Sequence, residues 1–150
     1  MVNVVVEHML LLVPMMVVIM IFPMIAISVV NNYSNQQSLI SVEQAGSQLG
    51  STIQQAYILL STKEIEPCDL QIPNPLPTAI EGQQYWVAGE LVDNNLVLHF
   101  SKPGIPIWYD HTITMGANAS WEGGTLESNS PTAGIIITKD INGIIHIKFG

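Results

Sequence analysis

Between Met9 and Val30 the chain carries no charged side chain, and Ser28 is the one polar group in the run. A segment this apolar is not left in water. It is placed in lipid or against other apolar surface, and the rest of the chain has to fold around that demand. Twenty-two helical residues rise about 33 Å, which matches a bilayer core of roughly 30 Å. Thirteen of them are Leu, Ile, Val or Phe. At about −0.3 to −0.6 kcal/mol each, insertion gains roughly 4 to 8 kcal/mol before the prolines are counted. The run does not fit a cleaved secretory signal, because no Lys or Arg precedes it and it exceeds the usual apolar core of a signal. No basic residue lies near either end until Lys63, so the positive-inside rule does not orient a span.

Pro14 and Pro23 interrupt the run, and each removes one backbone donor, freeing the carbonyls of Leu10 and Ile19. In lipid such carbonyls need partners, and neighbouring helices are one source. Glu7 lies just ahead, where a carboxylate complements a helix N-terminus. Beyond Val30, the polar stretch Asn31 to Ser38 reads as a place where the helix could be interrupted. Apolar residues then return at helical spacing in Val42, Ala45, Leu49, Ile53, Ala56 and Leu60, all on one face. Ser41 and Gln44 would form a capping box if the helix restarts there. Gly46 and Gly50 make a GxxxG pair on a neighbouring face, a weak signal outside lipid. Pro67 disfavours helix in Glu66, so the helix ends by that residue. Together these spacings predict helix over as many as ~60 residues, or about 90 Å.

The remainder reads as β structure after an extended connector marked by Pro73, Pro75 and Pro77. Tyr85 to Val92 and Leu96 to Phe100 are strand-like runs around Asp93-Asn94-Asn95. Gly134 to Lys139 and Ile144 to Phe149 form a second pair around Asp140-Ile141-Asn142-Gly143, with Asn-Gly a strong turn signal. The region between, Ser101 to Thr132, is expected to carry short strands around Ile107 to Met115 and long loops. So small a sheet makes a thin core, and covering the Val42 to Leu60 stripe would complete both. The expected fold is therefore α+β. A long hydrophobic N-terminal helix carries an antiparallel, sandwich-like (Ig-like) β head on its second half. The divisions are 1–38 for the apolar helix, 39–66 for its amphipathic continuation and 67–150 for the head.

Chemistry is sparse. Four lysines, no arginine and a net charge of −8 argue against nucleic acid and against anionic lipid headgroups. Cys68 is the single cysteine, which excludes an internal disulfide and a cysteine zinc cluster, and it is expected to be partly buried. His8, His99, His111 and His146 lack metal-ligand spacing, and His99 and His146 are expected on exposed strand faces. Asp110-His111 is the one adjacent acid–histidine pair, and no nucleophile or phosphate motif occurs. The expectation is no enzyme, no cofactor and no metal. Of Trp86, Trp108 and Trp121, two are expected to fill the core, although aromatics on a β head also stack on sugars or anchor interfaces. Asn32-Tyr33-Ser34 and Asn118-Ala119-Ser120 are N-glycosylation sequons, with Asn118 the better acceptor if the head is extracellular.

With Glu7, a proline-interrupted apolar helix, an amphipathic continuation to Leu60 and a β-rich C-terminal region, the chain resembles a type IV pilin of the archaeal kind. The stretch Ile72-Pro73 to Gly82, followed by Tyr85-Trp86-Val87 and a hairpin, is also similar to heads of that family. A TadE-like pilin is a close variant of the same resemblance. It implies a subunit that passes through the membrane and is polymerised by pilus assembly machinery into an extracellular filament of identical copies. Helices fill the filament centre and heads, open to covalent glycans, face outward. The family's glutamate is commonly the fifth mature residue, and here it is the seventh. Glu7, Leu11, Pro14, Val18, Phe22 and Pro23 are the expected assembly residues, with the prolines setting local kinks or melting. The rival expectation is a single-span anchor displaying a small ligand-binding ectodomain.

Overall fold

The computed structural model describes residues 2–62 and 66–150, with side chains from Leu12 onward apart from Val13 and Pro106. It divides into two compact units, Met1–Gln37 and Ser38–Gly150. One helix, α1 (Val2–Ser61), supplies all of the described part of the first unit and begins the second. Eight strands follow: β1 (Cys68–Pro73), β2 (Trp86–Val92), β3 (Asn95–Lys102), β4 (Ile105–Thr114), β5 (Ala119–Gly123), β6 (Thr125–Glu127), β7 (Gly134–Lys139) and β8 (Ile145–Phe149). The fold is α+β.

Helical structure runs through both Pro14 and Pro23. Each proline deletes one hydrogen bond of the ladder, and a methionine, a good helix former, follows both of them in Met15 and Met24. The polar stretch after Val30 does not interrupt the helix either. Within it Gln37 Nε2 donates to Tyr33 Oη at 2.9 Å, a pairing across one helical turn. Ser41 and Gln44 consequently lie inside the helix, and no capping box forms. The helix stops at Ser61, before the Glu66 limit set by Pro67. Thr62 N–H folds back onto Leu59 O at 3.4 Å, and Lys139 Nζ donates to Thr62 O at 2.8 Å, placing a cation at the negative end of the helix.

In the second unit the strands make two four-stranded sheets, ordered β1-β7-β8-β5 and β4-β3-β2-β6. The second is antiparallel throughout, whereas the first is mixed, because β5 runs parallel to β8. Turn chemistry sets the hairpins. Asp93 and Asn94 both take positive φ (48° and 63°) between β2 and β3, the mirror-image turn that matches strand twist. Pro103-Gly104 closes β3 onto β4, with Gly104 at φ 80°. Asp140 Oδ1 accepts from the backbone N–H of Asn142 and Ile144, both at 2.8 Å, and so shapes the β7–β8 turn. Strands β1, β5 and β6 were not expected. The first is a half-exposed edge ending in proline, and the other two are short and set among Gly and Ser residues.

One core joins the helix to both sheets. The whole Val42, Ala45, Leu49, Ile53, Ala56 and Leu60 stripe is buried, with Tyr57 beside it. It meets Val87, Leu96, Leu98, Phe100, Ile113 and Leu126 from the second sheet and Ile135, Ile137, Ile145 and Ile147 from the first. The Gly46–Gly50 pair turns out to face β4. A Cβ on Gly46 would lie 3.1 Å from Tyr109 Cε1, and one on Gly50 would lie 2.7 Å from His111 Nε2. The missing side chains let the strand approach the helix backbone. A second small-residue contact joins the sheets, where the Trp121 ring occupies the space over Gly89 in β2.

Leu49 is fully buried between helix and sheets. Leu49→Ala is expected to lower the unfolding free energy of the head by about 2–5 kcal/mol, measured by urea unfolding of the full chain in detergent.

Candidate functional site

The first candidate is the apolar run itself. Fourteen large apolar side chains between Leu12 and Val30 are each at least 48% exposed. Removing them from water is worth on the order of 10–20 kcal/mol, as much as the whole stability of a typical domain, about 5–15 kcal/mol. The helix is long and apolar enough to cross a membrane, and this window has no cover of its own. Val18 and Phe22 are exposed at 63% and 71%, and Pro14 and Pro23 are exposed beside them. Glu7 and Leu11 lie on the same helix, but their side chains fall outside the described residues. Asn32, the first sequon, is also helical and exposed.

In the second unit the adjacent acid–histidine pair is split by strand alternation. Asp110 and His111 are neighbours on β4, so their side chains leave opposite faces. His111 enters the slot over Gly46 and Gly50 and stacks on Tyr109, with ring centroids 6.4 Å apart. Burial lowers its pKa, an effect that the nearby Glu43 carboxylate opposes. Burial and the same carboxylate raise the pKa of Tyr109. Asp110, on the outer face, instead binds the cross-strand His99, with Oδ1 and Nδ1 2.7 Å apart.

His99 and His146 are half-buried rather than freely exposed, and each is flanked by two carboxylates. His99 Nε2 lies 3.7 Å from Glu90, while His146 lies 3.1 Å from Glu122 and 3.8 Å from Asp140. Burial works against the Asp140 carboxylate. Hydrogen bonds from Ile144 and Asn142, together with the His146 field, outweigh it and hold its pKa below the ordinary value. Among the described residues, no group of histidines, cysteines and carboxylates is arranged to hold a metal ion.

Other expectations about the head change in detail. Cys68 is exposed, not partly buried, because it opens the edge strand β1. None of the three tryptophans is fully buried. Trp108 and Trp121 pack partly against the core, and Trp86 remains 37% exposed. The large core positions go instead to Tyr85 and Phe100, whose rings stack 6.1 Å apart. Tyr85 Oη donates to Pro77 O at 2.9 Å, and burial raises its pKa strongly. Ser128 Oγ accepts from Tyr85 N–H at 3.1 Å and donates to Thr78 O at 3.0 Å, tying the proline-rich connector to β6.

Asn118 has a structural task that its sequon does not announce. Its Oδ1 accepts from the Tyr57 hydroxyl on the helix, and its Nδ2 donates to Gly143 O at 3.1 Å. The nitrogen that a glycan would take is therefore already engaged in joining α1 to the β7–β8 turn. Only a Tyr at position 57 could have signalled this, and nothing in its spacing separates it from an ordinary core residue.

No protein-family model, curated protein or solved structure matches the chain. Its likeness to a pilin lies in the order of its elements, a long apolar N-terminal helix followed by β-sheets that pack on the helix's buried stripe.

Two outcomes follow from these contacts. Tyr57→Phe leaves Asn118 Oδ1 without its donor and is expected to cost about 1–3 kcal/mol, read as a lowered urea midpoint. For His111 the folded chain holds the ring neutral to lower pH than the unfolded chain does. The unfolded state therefore binds more protons, and stability falls as pH drops below about 6.5. The fall ends once the folded-state ring also titrates. His111→Gln is expected to shallow this acid-side decline, seen as a smaller difference between melting temperatures at neutral and mildly acid pH.

Proposed function

We propose that the protein is the major structural subunit of an extracellular type IV pilus or adhesion filament, polymerising through its N-terminal helix. The observation that supports this reading is the continuous exposed apolar surface from Leu12 to Val30. Lipid covers it before assembly, and identical helices cover it afterwards. Transfer between these two apolar surroundings costs little, since lipid tails and packed aliphatic side chains are similar solvents for Leu, Ile and Val.

Proline fits this scheme. In a helix bundle the carbonyls of Leu10 and Ile19, freed by Pro14 and Pro23, have neighbouring chains to meet, which a lone span in lipid lacks. Scarcity of charge fits as well. From His8 to Thr62 the one residue with a formal charge is Glu43, so like-charged copies approach along the helix without strong repulsion. Glu7 is the remaining assembly residue of this proposal, as a partner for positive groups at the start of a neighbouring helix. The rival is a single-span anchor carrying a small binding domain, for which the same exposed run is covered by lipid alone.

Val18→Asp introduces a carboxylate costing roughly 2.5–3.5 kcal/mol near the centre of an apolar helix, repeated in every copy, and Leu11→Asp places one nearer the start of the same run. Filaments are expected to disappear from electron micrographs of sheared cells, while the head keeps its thermal transition. Normal filaments from both variants would sink the proposal. Sedimentable polymer released by shear without detergent is expected, and protein that leaves the cells only with detergent would favour the rival.

A further inference from the structure

The turn between β7 and β8 contains the one Asn-Gly pair in the sequence, Asn142-Gly143. Such a pair is chemically labile. The backbone nitrogen of the glycine can attack the asparagine side chain, and no Cβ on the glycine hinders the approach. In that step a bond forms between Gly143 N and Asn142 Cγ, and the Cγ–Nδ2 bond breaks. The proton of Gly143 N–H passes through solvent to the leaving nitrogen, which departs as ammonia. Water then opens the five-membered imide to aspartate or isoaspartate, so the net change is an amide hydrolysed to an acid. Asn142 is exposed, and solvent has access to it.

The folded turn opposes each part of this step, and it does so through one residue. Gly143 N–H donates to Asp140 O at 3.1 Å, which closes a β-turn over Ile141 and Asn142. Neither central residue has positive φ, whereas Gly143 lies at φ 81°. This is a type I turn with a left-handed glycine behind it. The attacking nitrogen is therefore engaged as a donor toward the Asp140 carbonyl. The leaving group is engaged as well, because Asn142 Nδ2 donates to Asp140 Oδ2 at 3.2 Å. Asp140 Oδ1 accepts from Asn142 N–H and Ile144 N–H, both at 2.8 Å, and Asp140 N–H donates to Ile144 O at 3.0 Å. Cyclisation needs Asn142 Cγ and Gly143 N to come together, and the groups that carry both are tied to Asp140. Charge acts in the same sense. Attack requires a nitrogen that has lost its proton, and a carboxylate beside it disfavours that anion. Desolvation works against the Asp140 charge, but hydrogen bonds from Ile144 and Asn142 outweigh it.

Deamidation would put a second carboxylate where the Asn142 amide now meets Asp140, and two carboxylates placed so close repel each other. The effect reaches α1. Gly143 O accepts from Asn118 Nδ2 at 3.1 Å, and Asn118 Oδ1 accepts from the Tyr57 hydroxyl. The turn that would open is thus one end of the polar link between the helix and the sheets. We propose that Asn142 is a deamidation site which the folded chain holds closed through Asp140, and that its conversion to an acid loosens the link from this turn to α1. All the groups involved lie within the Ser38–Gly150 unit, so the inference stands whatever surrounds the apolar half of the helix.

The test is the deamidation rate at Asn142, read by peptide mass spectrometry after incubating the full chain in detergent at mildly alkaline pH, with and without denaturing guanidinium chloride. The native chain is expected to deamidate at least about tenfold more slowly than the denatured one. Under native conditions Asp140→Ala is expected to raise the rate at least about threefold. Asp140→Asn, which keeps the shape of the side chain and removes its charge, is expected to raise it as well, so a folding defect in Asp140→Ala does not decide the outcome. Asn142→Asp, the product of the reaction, is expected to lower the urea midpoint, and by less in a Tyr57→Phe background, where the link is already broken. Equal rates in the native and denatured parent would overturn the proposal, as would Asp140 variants that deamidate no faster than the parent. It is equally overturned if Asn142→Asp leaves the midpoint unchanged, or lowers it by the same amount with and without the Tyr57 hydroxyl.

Discussion

The folded unit depends on one buried seam. The stripe from Val42 to Leu60 packs into the core that both sheets line, and every large apolar position on it is withdrawn from water. The seam is tight because Gly46 and Gly50 let Tyr109, His111 and Ile113 of β4 approach the helix backbone. It is also tied at its lower end by polar contacts, with Tyr57 bound to Asn118 and Lys139 bound to Thr62 O. The apolar contacts supply most of the free energy. The polar ones specify how far along the helix the sheets sit, since a shift by one turn would break the Tyr57–Asn118 hydrogen bond and the Lys139 contact with Thr62 O.

The same helix carries a second surface with the opposite property. Among the described residues, the large apolar side chains from Leu12 to Val30 are exposed, and the free energy at stake rivals the whole stability of a typical domain. A helix that is apolar all round has no preferred face, so it can exchange lipid for other helices without rearranging internally. This separates the two halves of α1 physically. The later half is committed to its own sheets, and the earlier half is left for other molecules.

Much of this was legible in advance. The apolar run, the six-residue stripe, the two hairpins and the Asn-Gly turn all follow from local periodicity and turn chemistry, which depend on a few neighbouring residues. The strands that escaped notice, β1, β5 and β6, are short or edge-like and owe their conformation to the partners beside them. Pro14, Pro23 and the Asn31–Ser38 stretch read as interruptions, yet the helix passes through them. A single lost hydrogen bond is small against the cooperativity of a long ladder. Cys68 misled in the other direction, because its exposure comes from its place on a sheet edge rather than from its type.

By itself, the sequence determined that a long uncharged segment must leave water, that an amphipathic helix follows it, and that a small β domain with little chemistry comes last. These are consequences of hydropathy and spacing, which act locally. Tertiary structure alone decided what each ambiguous residue does. It divided Asp110 from His111 across a strand, put the GxxxG glycines under β4 and occupied the Asn118 amide. Each of those outcomes depends on register between segments far apart in the chain, and register is set by the packing of the whole core, which no short stretch of sequence contains.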